Sequence, residues 1–185
     1  MKGVAASFVI AYLRCVGFEG QALAEDALTL SSPALTEDSF LPAYLKCVRD
    51  GGDGASPPLE WHGVPDGTKS LALTMHHYPR GTTEGVDAPS HYWLLWNIPA
   101  DVTVIERGNP TSIGDEGADK DRTHTGYTPP CSPGDRQHEY TITIYALNAP
   151  MDDLPGYDDR QVDWQMLTGA MEGKVISSAQ LSFLN

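Results

Sequence analysis

The chain has 185 residues, 41% hydrophobic and 20% charged, with a formal net charge of −13. That length suits one domain with a sizeable core, and the composition is ordinary for a soluble globular protein. The acid excess argues against nucleic acid or an anionic membrane surface as partner, since both require a basic face. No apolar run reaches the roughly 18 residues needed to span a bilayer.

In chain order, the first segment differs from the rest. "MKGVAASFVIAYL" sets a lysine before an apolar stretch, and Ala22 and Ala24 supply the small-residue spacing that a signal peptidase reads. A cleaved leader over residues 1–24 is the expectation, with the folded domain over 25–185. The alternative is an amphipathic N-terminal helix. Cys15 follows Arg14, where lipidation would need a small residue. Removal of the leader leaves Cys47 and Cys131, which in an exported protein either bridge or stay as two buried thiols.

"DALTLSS" (26–32) is a candidate strand. "SLALTMHH" (70–77) and "HYWLLWNIP" (91–99) are apolar with little helical periodicity, and they read as buried strands. Residues 107–127 are polar, acidic and glycine-containing, the marks of a long surface loop. "TPPCSP" follows, a stiff connector. In "EYTITIYAL" the residues Tyr140, Ile142 and Ile144 fall on one face and Thr141, Thr143 and Tyr145 on the other, the pattern of a strand with one face on a core. Residues 160–172 read as a short helix packed on the sheet edge, started by Asp158 or Asp159 and stopped by Gly173, with Val162, Met166 and Leu167 on one side. "KVISSAQLSF" (174–183) is a last strand. Short strands between turn clusters predict an all-β sandwich.

Two features point to a binding site. Pro129, Pro130 and Pro133 fix φ and remove backbone donors, so their loop holds its shape when empty. It is equally a plain rigid connector. His76 and His77 close one strand, His91 opens another and His138 opens a third. Strand ends cluster at sandwich rims, where imidazoles could converge on an anion or a metal. His76 and His77 must point to opposite faces. No HExxH, paired CxxC, GxSxG, P-loop or GxGxxG occurs, so no metal, cofactor or catalytic residue is expected.

Three separated blocks then carry a resemblance. "DGGDGASPPLEWHGVPDGTKSLALT" (50–74), "YWLLWNIPA" (92–100) and "GYTPPCSPGDRQHEYTITIYAL" (126–147) are similar, in order, to segments of the bacterial phosphatidylethanolamine-binding proteins, also called Raf-kinase-inhibitor-like proteins. "GKVISSAQLSF" resembles the family's closing segment. The likeness covers about residues 28–183.

The resemblance implies a Greek-key β-sandwich of two antiparallel sheets with few peripheral helices. It also implies one rim cavity for small anions such as a phospholipid head group. Pro130, Cys131 and Pro133 match the family's proline-rich loop, and His138 and Tyr140 match its His-x-Tyr pair. The chain departs from the pattern at several points. His77 stands where the family's Asp-Pro-Asp begins, and Asp87-Ala88-Pro89 keeps the tail of that box after an inserted loop over 78–86. Register puts Tyr92 in place of the family's second pocket histidine, with His91 the alternative one position away. Pro129 replaces the loop glycine.

The expected ligand-binding residues are therefore His77, Asp87, Tyr92, Pro130, His138 and Tyr140. His77 and His138 would donate to the anion, Tyr92 and Tyr140 would give a hydroxyl and an aromatic wall, Pro130 would give shape, and Asp87 would orient a histidine. The reading is a non-enzymatic binding protein, periplasmic or secreted, or cytoplasmic if the leader stays. One alternative is a kinase or protease inhibitor acting through surface loops such as 107–125. A second is a metal protein or hydrolase using His77, His91, Asp87 and His138. By analogy with bacterial relatives, a homodimer is one option for its assembly.

Overall fold

A computed structural model describes residues 27–35, 39–108, 111–131 and 136–185. The expected leader, Cys15 and Pro133 lie outside the described residues. Three strands, β1 (Thr29–Ser31), β2 (Leu59–His62) and β5 (Val104–Ile105), form a small antiparallel sheet in the order β1-β2-β5. The larger sheet holds β3 (Ser70–His77), β4 (Ser90–Ile98), β6 (Asp115–Glu116), β7 (Glu139–Leu147) and β8 (Val175–Leu184), in the order β6-β4-β3-β7-β8. All its strand pairs are antiparallel. After β4 the chain crosses to the small sheet and returns, so β7 lies beside β3. The expected two-sheet antiparallel sandwich is present.

The main core lies between the sheets. Leu59, Trp61 and Ile105 from the small sheet meet Leu73, Met75 and Ile142 from the large one, all with no exposed surface. A second apolar layer covers part of the large sheet's outer face. There Ala72, Leu94, Trp96 and Leu147 pack under Val162, Leu167 and Met171. β3 and β4 are thus buried on both faces, which is why they read as nearly continuous apolar runs instead of alternating ones. β7 keeps its alternation, with Tyr140, Ile142 and Ile144 turned to the main core and Thr141, Thr143 and Tyr145 turned outward.

Two irregularities set the register of β4. Leu73 faces Leu95 and Met75 faces Trp93, but His76 faces His91, which leaves Tyr92 as an extra residue in a bulge. Tyr92 and Trp93 therefore both join the main core. A second shift lies between Leu71 and Leu73, where Asn97 takes a positive φ of 54°.

The helix α1 (Trp164–Met171) is shorter than expected. Its N-cap is Asp163, whose Oδ1 accepts a hydrogen bond from Met166 N at 3.1 Å. The expected starters act elsewhere. Asp158 Oδ1 accepts from Glu116 N at 2.8 Å, and Asp159 Oδ1 accepts from Gln161 N at 2.8 Å, closing the turn before the helix. Val162 and Leu167 are fully buried as expected, whereas Met166 is 45% exposed. Instead of sitting at the sheet edge, the helix lies over the outer face, with Leu167 and Met171 against Leu94 and Trp96.

Residues 107–127 are also more than a surface loop. Asp115 and Glu116 pair with Trp96 and Leu95 as β6. Glu116 is 1% exposed, and its Oε1 accepts from Trp93 Nε1 at 3.1 Å. A Cβ on Gly117 would stand 2.7 Å from Val162 O and 3.0 Å from Leu94 Cβ, so only glycine fits where this segment passes under the helix. A buried carboxylate and a packed glycine look like loop chemistry in sequence.

Candidate functional site at the sheet rim

β3 and β7 are neighbours, so the end of one meets the start of the other. His77 closes β3. His138 precedes β7, and its backbone exchanges two hydrogen bonds with Asn185, His138 N to Asn185 O at 2.8 Å and Asn185 N to His138 O at 3.0 Å. The two imidazole rings lie 5.0 Å apart, edge to face at 83°.

Their hydrogen bonds fix the protons. His77 Nδ1 is 2.8 Å from Glu139 O, and a carbonyl can only accept, so Nδ1 carries a hydrogen. In neutral His77 the other nitrogen, Nε2, then holds a lone pair. It lies 3.3 Å from His138 Nδ1, which donates to it. Among the described residues, His138 Nε2 is left as the nitrogen of the pair without a hydrogen-bond partner. Burial holds the pKa of His77 below the usual histidine value. The Glu139 carbonyl opposes this shift and the neighbouring His138 adds to it. His77 is thus a neutral acceptor that orients His138.

An aromatic stack backs the pair. His77 lies over Tyr140 at 5.1 Å and 32°, Tyr92 meets Tyr140 edge to face at 5.0 Å, and Phe183 stacks on Tyr140 at 5.6 Å. The Tyr92 and Tyr140 hydroxyls share a hydrogen bond; burial first and Tyr140 second raise the Tyr92 pKa, so its phenol stays protonated. The Tyr92 bulge also frees a carbonyl, and Tyr92 O accepts from Thr128 N at 2.7 Å, tying the proline-rich loop to β4. Two further contacts brace that loop. Cys131 is bonded to Cys47 in a disulfide, and Gly54, at a φ of +74°, lets Pro129 come so close that a Cβ there would sit 3.3 Å from Pro129 Cγ. Between bridging and free thiols, the structure shows the bridge.

A cleft of about 650 Å³ opens beside the two histidines. His77 and His138 line it. Tyr92 and Tyr140 do not, being 6% and 0% exposed, and Pro130 is buried with them. They support the histidines from behind instead of forming a wall. Asp87 is exposed, and its carboxylate accepts from Thr83 N at 2.8 Å, closing the 78–86 loop on itself. His91 lies on the outer face opposite His76 and beside Asp119, Asp163 and Arg122, and neither it nor Tyr92 is among the described residues that line the cleft. The set His77, His91, Asp87 and His138 does not converge. Among the described residues, the one group of three potential metal ligands in mutual reach is Cys47, Asp50 and Cys131, and its cysteines are bonded to each other.

Sequence reasoning missed the rest of the cleft wall. Arg136 and Gln137 come from the approach to His138, Tyr78, Arg80 and Glu84 from the inserted loop, and His76, Thr141, Gln180 and Ser182 from the outer face. The insertion was the available signal, since residues added beside a site often become part of its wall.

Comparison with known proteins bears on the family and the fold. Residues 31–184 match the family model described as phosphatidylethanolamine-binding protein. A UPF0098 protein of Methanothermobacter thermautotrophicus is 34% identical over 161 residues, covering 83% of this chain and 95% of its own. A UPF0098 protein of Pyrococcus horikoshii is 31% identical over 189 residues, covering 96% of this chain and 84% of its own. The crystal structure of a phosphatidylethanolamine-binding protein homologue from Chlamydia trachomatis superposes with a TM-score of 0.71 at 29% identity, over 86% of this chain and 97% of that one. By the extent of that family match and the coverage of these relatives, the chain belongs to the phosphatidylethanolamine-binding protein family.

Proposed function

We propose that this chain is a non-enzymatic binding protein whose rim cleft takes a small anionic or polar molecule, a phospholipid head group being one such group. The observation that carries the reading is the ordered His77–His138 pair on the wall of an open cleft that also holds Arg80 and Arg136. Of the pair's four ring nitrogens, His138 Nε2 is the one without a role in the arrangement above, so it is the one that can meet a ligand. A proton on it would make it a charged donor, and charge-assisted hydrogen bonds to an anion are about twice as strong as neutral ones. His77, kept neutral by burial, holds the protonated ring in place. An export route is part of the proposal, supported by the Cys47–Cys131 bridge, since disulfides persist in oxidising compartments.

Calorimetric titration with inorganic phosphate from pH 5 to 8 tests the reading. Affinity should rise as pH drops below about 6.5, the reference histidine value. His138→Ala should abolish the pH dependence while the fold persists. Absence of heat at every pH, or a flat profile in the native protein, overturns the proposal.

A further inference from the structure

The cleft continues past the histidine pair onto the outer face of the large sheet. There His76, Thr141 and Ser182 sit side by side in register across β3, β7 and β8, with Gln180 in the next row. Thr141 Oγ1 and Ser182 Oγ are 3.0 Å apart and hydrogen-bonded. His76 is only 8% exposed and lines the cleft, yet its Nδ1 has no hydrogen-bond partner among the described residues. That nitrogen is itself closed off from the cleft, so the polar groups this floor offers a ligand are those of Thr141, Gln180 and Ser182.

The opposite wall comes from the inserted loop. Tyr78 meets the His76 ring edge-on at 5.4 Å, and Arg80 and Glu84 lie beyond it. Two arginines in the lining, Arg80 and Arg136, are balanced by two carboxylates, Glu84 and Glu139. That balance suits one anionic group together with neutral hydrogen-bonding groups better than a multiply charged anion. No described residue that lines the cleft is aliphatic, so nothing there would hold an acyl chain. At about 650 Å³ the space lies within the range of small-molecule sites and exceeds the needs of a lone phosphate ion.

We infer that the outer-face floor formed by His76, Thr141, Gln180 and Ser182 binds the hydroxylated body of a phosphorylated sugar or polyol, whose phosphate is held at the rim histidines. This rests on the anion-binding reading above. The aromatic face of Tyr78 is a platform for a sugar ring, and Glu84 accepts from ligand hydroxyls.

The test is calorimetry at pH 6 with four probes: glucose 6-phosphate, inorganic phosphate, glucose and dihexanoylphosphatidylethanolamine. Glucose 6-phosphate should bind about tenfold tighter than inorganic phosphate, the equivalent of one or two well-made hydrogen bonds. Ser182→Ala and Gln180→Ala sit on an edge strand and leave the core intact. Combined, they should erase that advantage and leave the phosphate affinity unchanged. If phosphate binds but glucose 6-phosphate binds no tighter, or keeps its advantage in the double variant, the inference falls and the anion reading stands. Tighter binding of the short-chain lipid than of glucose 6-phosphate also overturns it. If no probe binds, both fall.

Discussion

Removing the Cys47–Cys131 bridge is the perturbation whose size the structure fixes best. The bond closes a loop across a sequence separation of 84 residues. Loop-closure entropy for that length gives about 4.5 kcal/mol of stability at 25 °C. For a domain of this size each kcal/mol moves the midpoint by about 2–4 °C, so the double variant Cys47→Ala/Cys131→Ala should melt about 9–18 °C lower. The loss arises chiefly in the unfolded chain, which the bridge restricts, because Cys47 is buried at 4% exposure and alanine leaves only a small gap. Urea unfolding of the native protein, with the bridge confirmed by mass, against the variant measures the difference directly. A loss under about 1 kcal/mol would refute the entropic account. The bridge also has a local role, since Cys131 directly follows Pro130. Without it the proline-rich loop is held by the Thr128 N to Tyr92 O bond and the Gly54–Pro129 contact.

Two further outcomes follow from the same geometry. Asp163→Ala removes the α1 cap and should cost about 1 kcal/mol in urea unfolding, whereas Asp163→Asn keeps the cap and loses only the exposed pair with Arg122, an effect near zero. Burial lowers the folded pKa of His76, His77 and His91, so folding favours their neutral forms. Their contribution is fully present above the unfolded value of about 6.5 and is lost as pH falls through the lower folded values. The urea midpoint should match at pH 8 and 7 and then drop toward pH 5, before the carboxylates Asp50, Asp53 and Asp119 titrate in their own lower window. A midpoint that stays level from pH 8 to 5 contradicts this assignment.

Much of the sandwich was legible because strand burial leaves a strong mark. The runs at 70–77 and 91–99 are apolar since both faces of β3 and β4 are covered, and 140–147 alternates since one face of β7 is not. The bulge at Tyr92 was not legible. Its extra residue is defined by pairing with β3, and pairing leaves no trace in one strand's own sequence. Register with the family pattern favoured Tyr92 over His91 for the pocket, yet neither side chain is among the described residues that line the cleft. The histidine pair was half legible. His77 and His138 were singled out, but the roles expected of them as equal donors were not the ones found, because the Glu139 carbonyl makes His77 an acceptor for its neighbour. Glu116 shows the opposite failure, an acid read as surface that is buried under Trp93 and held there by backbone pairing.

The central claim concerns two imidazoles and where their protons sit. Nitrogen NMR of the histidine side chains, followed from pH 8 to 5 with and without inorganic phosphate, reads it directly. The account predicts that neutral His77 and His138 both carry hydrogen at Nδ1, and that phosphate displaces the His138 ring-nitrogen signals. A neutral His138 carrying its hydrogen at Nε2, or ring signals that phosphate leaves unmoved, contradicts it.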